Sequence, residues 1–247
     1  MTTKHWRIAT ILAMAILAFV AVESARAAVS DGSIIAEQQT GGSLGDIINY
    51  VILSLLGLVS IILIGLVIWY FLSLSVSAVI PTEIVDQMNK LLDKKSYDEL
   101  MDFCRTTPTH LTNIVASGLA RAKSGDDYGE INTALKETGE EEEIKLEQRI
   151  GWLNLIGTVA PMMGLLGTVV GMLVAFDVIA EIDNPRPSHL AGGIRSALWT
   201  TVAGLTVAIP AMSFFFFFRS RVSMLAIELN ARCEELFARF HRGEKKS

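Results

Sequence analysis

The polar side chains that could do chemistry in the most apolar stretches of this sequence are hydroxyls. Thr168 lies in one such stretch, and Ser196, Thr200 and Thr201 lie in the next. A hydroxyl donates and accepts hydrogen bonds without carrying charge, so these residues could hold water or relay an ion. The alternative is that each hydroxyl bonds a carbonyl of its own helix or joins two helices. Because the two stretches contain no Asp, Glu, Lys, Arg or His, a titrating group on any ion path must come from a partner chain.

Small residues accompany these hydroxyls at helical spacing. They recur every seven positions in the first stretch and every four in the second, as Gly157, Gly164 and Gly171, and as Ser196, Thr200 and Gly204. Such faces allow two helices to approach closely. Pro161 and Pro210 each leave one helix carbonyl without its usual partner, which predicts a kink in each helix. The pattern predicts a tightly packed hairpin whose small, polar faces serve helix packing or line a pore.

Most other chemistry is excluded by the residue types. Cys104 and Cys233 are too few for a disulfide framework or a zinc cluster, and the four histidines are far apart in the sequence. No nucleophile–base pair or phosphate-binding loop is present, so we expect no enzymatic activity, no cofactor and no metal. The net charge of −5 argues against a nucleic-acid partner.

The elements that must position the hydroxyls are membrane spans. Hydrophobic residues make up 51% of the chain, charged residues 19%, and the mean hydropathy is +0.44. Charged residues are missing from three stretches, 47–82, 150–176 and 196–218. Since a span needs ~20 apolar residues, we predict an all-α protein in the lipid bilayer with three transmembrane helices per mature chain, at 47–80, 150–180 and 195–218. We also expect long helices to extend from the bilayer into a cytoplasmic helical domain at 81–149.

The N-terminus has a basic start, the apolar run Ile8–Val22 and then small residues with an A-x-A pattern. This order is typical of a secretory signal peptide. It predicts a signal peptide at 1–27 and a periplasmic leader at 28–46. The alternative is a short uncleaved span, and both interpretations place 28–46 outside the cytoplasm.

Basic residues set the predicted orientation. After the third span come seven basic and four acidic residues. The positive-inside rule therefore places the C-terminal tail, 219–247, in the cytoplasm and the loop 181–194 in the periplasm. Asp177 and Arg195 then lie at the outer ends of their spans, as interfacial anchors, as a loop ion pair or as mouth residues on an ion path.

The cytoplasmic segment has the spacing of several helices. Apolar residues predict helices over Glu83–Cys104 and Leu111–Ala122. Thr138 followed by Glu141 fits a capping box, which predicts that the next helix begins near 139 and runs to about 180. Glu140–Glu143 is interpreted as a solvated first turn that complements the helix dipole.

Two motifs in the second and third spans resemble those of the ExbB/TolQ/MotA family, and the chain is most similar to ExbB. They are APMMGLLGTVVGM at 160–172 and GIRSALWTTVAGLTVAIP at 193–210. The similarity follows the order of segments from about 45 to 240 and is weak in the cytoplasmic sequence. It implies a homo-oligomer, a ring of five subunits in the bacterial inner membrane, around a dimer of a single-span ExbD- or TolR-like partner whose membrane Asp carries the proton.

The resemblance also implies roles for single residues. The family's pore-lining threonines correspond to Thr168 and Thr201, whose hydroxyls would hydrate or relay ions past the partner's Asp. Force would pass to periplasmic machinery, often a TonB-like protein that serves outer-membrane transporters. One position departs from the family: Ser196, preceded by Arg195, stands where a Glu usually precedes the Ala-Leu of the third span. A half-channel that depends on this Glu therefore does not follow for this chain.

Two other functions compete with an ExbB-like motor subunit. A MotA-like flagellar stator usually has four spans, so it would require Ile8–Val22 to remain as a span. A non-conducting membrane scaffold would use the small-residue faces for packing alone. Both motifs and the three mature spans favour the motor subunit.

Overall fold

The computed structural model describes residues 44–94, 96–181 and 186–244. Every regular element in these ranges is an α-helix. The helices are α1 (Leu44–Ser73), α2 (Val76–Val79), α3 (Thr82–Asp93), α4 (Tyr97–Thr106), α5 (His110–Ser124), α6 (Tyr128–Glu181) and α7 (Pro187–Glu244). The predicted signal peptide, 1–27, lies outside the described residues. So does the predicted leader, 28–46, except for its last three residues, which belong to α1.

Three of the helices, α1, α6 and α7, are long and apolar enough to cross a membrane. For the part of the chain that the structure describes, the prediction of an all-α protein with three helices able to span a membrane is therefore confirmed. Large apolar side chains such as Ile61, Leu165 and Ile209 are exposed on these helices, as expected for surfaces that meet lipid or other chains. Since α6 has 54 residues and α7 has 58, each is more than twice as long as the ~20 residues that one span requires.

Two helix ends differ from the predicted segments. The helix of the first span, predicted at 47–80, ends at Ser73, and Ser75 then accepts a hydrogen bond from the Ala78 amide at 3.3 Å to begin α2. In addition, α7 begins at Pro187, so much of the predicted loop 181–194 is helical. A proline is favourable at the first helical position because the amide there has no partner within the helix. The assignment of segments to membrane sides stays a prediction.

The start of α6 was predicted wrongly. This helix begins at Tyr128, well before 139, and Thr138 lies inside it and donates a hydrogen bond to the Ala134 carbonyl at 2.9 Å. The residue types fit a capping box, but Leu135 and Ile131 are buried one turn and two turns earlier. Their burial favours continuous helix through Thr138, and the hydroxyl bonds its own helix.

The helix predicted over Glu83–Cys104 is two helices, α3 and α4. The capping box that does form is at α5. There, Thr109 accepts a hydrogen bond from the Thr112 amide at 3.2 Å, and Thr112 accepts one from the Thr109 amide at 2.7 Å. At the other end of α5, Gly125 has φ +83, a conformation that glycine adopts without a steric penalty.

The chain divides into two compact units, Met1–Trp69 with Trp152–Phe215, and Tyr70–Gly151 with Phe216–Ser247. We call them the span unit and the head unit. The described core of the span unit includes Leu63, Leu153, Ala197 and Ala211. The described core of the head unit includes Met88, Leu100, Ile114, Leu146 and Leu225.

Candidate ion-path site

The backbones of α6 and α7 are in close contact within the span unit. A Cβ atom added at Gly164 would lie 2.9 Å from the Thr200 carbonyl oxygen and 3.0 Å from the Thr201 Cα. One added at Gly204 would lie 2.6 Å from the Ala160 carbonyl oxygen. These neighbours are backbone atoms that cannot rotate away, so only glycine fits at both positions.

The contact continues along α6 in both directions. A Cβ atom at Gly171 would lie 2.8 Å from the Ala197 Cβ, and one at Gly157 would lie 2.5 Å from the Met212 sulfur. The glycines spaced by seven residues therefore lie along one face of α6, and α7 covers that face. Whether Gly164, Gly171 and Gly204 also line a pore stays a prediction.

Two hydroxyls of α7 meet one carbonyl of α6. The Thr201 hydroxyl donates to the Gly164 carbonyl at 3.1 Å. The Thr200 hydroxyl donates to the Ala197 carbonyl at 2.8 Å and approaches the Gly164 carbonyl at 3.4 Å. Thr200 is fully buried and Thr201 is partly exposed. The two adjacent threonines thus form a small uncharged polar site where the helices are closest.

Thr168 does not join this site. Its hydroxyl donates to the Leu165 carbonyl of its own helix at 2.6 Å. The hydroxyls of Thr158, Thr206 and Ser213 likewise donate to carbonyls one turn earlier in their helices. The ion-path roles of Thr168 and Thr201 stay predictions, and the structure places the two hydroxyls in different local settings.

A residue that sequence reasoning missed lies in the first span. Asn49 of α1 is 5% exposed, and its amide nitrogen donates to the Ser196 hydroxyl at 3.3 Å. No residue of the first span was among the predicted site residues. The available signal was the amide itself, since a carboxamide within an apolar span is costly unless it has a polar partner.

The other predicted residues take no part in the hydrogen bonds of the threonine site. Asp177 and Arg195 are both exposed, and no ion pair joins these two described residues. Pro161 and Pro210 lie inside α6 and α7, and each helix continues through its proline. Their roles as mouth residues and as kinks stay predictions.

In the head unit, the interpretation of Glu140–Glu143 as a solvated turn is wrong for Glu142. This carboxylate is 2% exposed and accepts hydrogen bonds from Lys145 at 2.7 Å, Asn113 at 3.0 Å and His110 at 2.5 Å. Burial alone would raise the pKa of Glu142, but the hydrogen bonds from Lys145, His110 and Asn113 outweigh it, so the pKa is lowered. Because α6 starts earlier than predicted, Glu142 lies in its interior and faces α5.

Within the ranges that the structure describes, no group of three or more His, Cys, Asp or Glu side chains could hold a metal. Cys104 and Cys233 are both buried free thiols. Burial raises the pKa of Cys104 to about 11, which suppresses its reactive thiolate form.

The three apolar helices and the uncharged polar contact between two of them define a multi-pass membrane protein. The MotA/TolQ/ExbB proton channel family matches residues 107–231, which is half of the chain. The chain therefore belongs to this family. The match includes the Gly164–Thr201 contact and Ser196, but not Asn49.

Several curated proteins are similar to parts of the chain. The biopolymer transport protein exbB1 of Vibrio cholerae is 45% identical over 62 residues, which are 25% of this chain and 27% of that protein. The Tol-Pal system protein TolQ of Pseudomonas aeruginosa is 36% identical over 101 residues, 41% of this chain and 44% of TolQ. The biopolymer transport protein ExbB of Salmonella typhimurium is 29% identical over 150 residues, 54% of this chain and 58% of ExbB. The chain thus spans between about a quarter and about three fifths of these relatives.

Proposed function

We propose that this protein is a ring-forming subunit of a proton-motive-force-driven motor in the bacterial inner membrane. It works with a dimer of an ExbD- or TolR-like single-span protein and energises periplasmic or outer-membrane transport, in some systems through a TonB-like protein. Family membership supports a channel-type role. The names of the similar proteins, biopolymer transport and Tol-Pal, favour the ExbB and TolQ branch over the flagellar one.

The observation that carries this proposal is the Thr201–Gly164 contact inside helices that lack charge. Residues 150–176 and 196–218 contain no ionisable side chain, yet they meet through two threonine hydroxyls and a carbonyl. A proton crossing a membrane needs groups that bind and release it. This chain supplies polar, uncharged groups, so the titrating carboxylate belongs to the partner subunit.

The hydroxyl of Thr201 serves the ion path by exchanging hydrogen bonds. In the structure it donates to the Gly164 carbonyl at 3.1 Å. Replacing this bond with one to water or to the partner's carboxylate costs little, because a typical hydrogen bond contributes only about 1 kcal/mol net. Thr168 acts in the same way from its own helix, where its hydroxyl bonds the Leu165 carbonyl.

The proposed topology follows from the basic tail. The mature N-terminus and the loop within 181–194 face the periplasm, while 81–149 and 219–247 face the cytoplasm. Five subunits form the ring, and Asp177 and Arg195 lie near its outer mouth. N-terminal sequencing of the purified protein tests the signal peptide, and a start near Ala28 is the expected result.

The test of the function uses co-expression with the single-span protein of a neighbouring gene. Native mass measurement of the purified complex is expected to give five copies of this chain with two of the partner. Liposomes that contain the complex are expected to take up protons, and a partner Asp→Asn variant should abolish this uptake. A chain that stays monomeric beside every such partner would refute the proposal.

The same experiment separates the alternatives. An assembled complex without proton uptake would indicate a non-conducting scaffold. Retention of Ile8–Val22 as a fourth span, together with rescue of motility, would indicate a flagellar stator. Thr201→Val should reduce proton uptake without preventing assembly, whereas Thr201→Ser should retain most of the uptake.

A further inference from the structure

The buried amide of Asn49 has more hydrogen-bonding capacity than the described protein uses. Its nitrogen donates to Ser196 at 3.3 Å, but its Oδ1 atom is buried and accepts no hydrogen bond from any described residue. Exchanging the amide oxygen and nitrogen would only move the unsatisfied position to the other atom. At this site, therefore, one buried polar atom is open to a further hydrogen bond.

Packing alone does not account for this residue. A buried amide with an unmade hydrogen bond lowers stability, and an apolar side chain of the same shape avoids that cost. Of the neighbouring buried positions on the same face of α1, Ile52, Leu56 and Leu63 are apolar, and Ser60 carries only a small hydroxyl. The one carboxamide on this face lies at the position that reaches Ser196.

The Asn49–Ser196 pair lies one helical turn from the threonine site. Ser196 and Thr200 are four residues apart on α7, which places them on the same face of the helix. Thr200 is fully buried and approaches the Gly164 carbonyl at 3.4 Å, and Thr201 donates to the same carbonyl at 3.1 Å. The amide, three hydroxyls and one carbonyl form a polar row of buried and partly exposed groups in the span unit.

We propose that Asn49 is a positioning residue for ion transfer, a role that rests on the proposed function. Its carboxamide and the Ser196 hydroxyl hold a water molecule at one end of the polar row. A buried water needs two to four polar partners, and the free amide position together with the Ser196 hydroxyl supplies two. The water takes up a proton to become hydronium and releases the same proton again, while the amide and hydroxyl stay neutral throughout.

The test compares proton uptake by liposomes that contain the complex with its single-span partner. Asn49→Leu removes both polar atoms at similar volume and should lower uptake at least tenfold. Asn49→Asp keeps an acceptor oxygen and should restore at least half of the uptake, with a new dependence on pH because a titratable group has been added. Ser60→Ala is the matched control, because Ser60 is equally buried on the same helix, 5% exposed, and it should stay within twofold of wild type.

Thermal unfolding of the same complexes separates positioning from packing. Asn49→Leu should leave the unfolding temperature unchanged or raise it, because it removes an unsatisfied buried polar atom. Full proton uptake by Asn49→Leu would overturn the inference and leave the proposed function standing, whereas no uptake by the wild-type complex would overturn both. If Asn49→Leu does not assemble, Ser196→Ala tests the same site, and full uptake by that variant would likewise refute the inference.

Discussion

Replacing Glu142 by Gln should loosen the packing of α5 in the head unit. The carboxylate is 2% exposed and accepts hydrogen bonds from His110, Asn113 and Lys145. Glutamine is nearly isosteric, but it has no charge, and one of its two acceptor oxygens is replaced by a donor. Two of the three donors lie at the start of α5, so weakening their hydrogen bonds to residue 142 should destabilise this helix in particular.

The magnitude follows from the two partly buried donors, His110 and Asn113. Glutamine keeps one acceptor oxygen, so one of these hydrogen bonds is lost and the other loses the charge that strengthens it. Since a hydrogen bond to a charged group contributes about 1.5–3 kcal/mol, we take the total loss as about 3 kcal/mol. The Lys145 side chain is half exposed, and its ion pair is left out because water can replace it. Since 1.4 kcal/mol corresponds to a tenfold change in an equilibrium constant, α5 should open about a hundredfold more often.

Hydrogen–deuterium exchange of the purified protein measures this opening. Peptides from α5 should exchange about a hundredfold faster in Glu142→Gln than in wild type. In the control, Glu140→Gln, which changes an exposed carboxylate on the same helix, they should exchange as in wild type. Exchange of α5 within threefold of wild type in Glu142→Gln would refute the view that this carboxylate holds the helix.

The same contact predicts a dependence on pH. The pKa of Glu142 is lowered from its ordinary value of 4.5 by its three hydrogen bonds despite its burial. A lowered pKa in the folded state means that the stabilisation is fully present above the unfolded value and is lost as the pH falls through the folded value. The difference between wild type and Glu142→Gln should therefore persist at neutral pH and shrink only below about pH 4.5.

Three further predictions concern packing, capping and the thiols. Gly204→Ala should lower the stability of the detergent-solubilised protein by about 1–3 kcal/mol through overpacking. The control Gly57→Ala, with no atom within 4 Å of the new Cβ, should not lower it. Equal effects of the two substitutions in thermal unfolding would contradict the close backbone contact. Thr109→Ala should destabilise α5 by about 1 kcal/mol because it removes the N-cap. Circular dichroism during urea unfolding measures this, and an unchanged midpoint of the unfolding curve would argue against the capping box. Cys104 is 3% exposed and its pKa is raised to about 11. It should therefore react with iodoacetamide at pH 8 only after the protein unfolds. Rapid labelling of the native protein, detected by mass spectrometry, would contradict its burial.

The membrane helices could be predicted because the absence of charge is a property of the sequence alone. Each of α1, α6 and α7 contains all or most of one of the three uncharged stretches, and a continuous apolar stretch of ~20 residues crosses a bilayer as a helix. The faces formed by small residues were also visible in the sequence, since Gly164 and Gly171 differ by one heptad. The sequence could predict that the third span packs against this face. It could not predict which atoms are in contact, because that depends on the axial offset between α6 and α7.

The errors arose where local and tertiary effects compete. Thr138 has the residue type of an N-cap, yet buried Ile131 and Leu135 extend the helix past it. Glu142 belongs to a run of acidic residues that is typical of a solvated surface, and only the packing of α5 shows that it is buried. Asn49 could not be predicted as a site residue because its partner Ser196 is distant in the sequence. In addition, a single amide changes the mean hydropathy of a long apolar span very little.

The close contact at Gly164 and Gly204 also has a mechanical consequence. Where side chains separate two helices, rotamer changes allow the helices to slide or roll by small steps. Here a glycine Cα of α6 lies against a glycine Cα of α7, with backbone carbonyls on either side, and no rotamer is available to absorb such a step. The two helices therefore move as one rigid body over this segment. Any deformation of the span unit must occur at other contacts, where flexible side chains such as Met212 can change conformation.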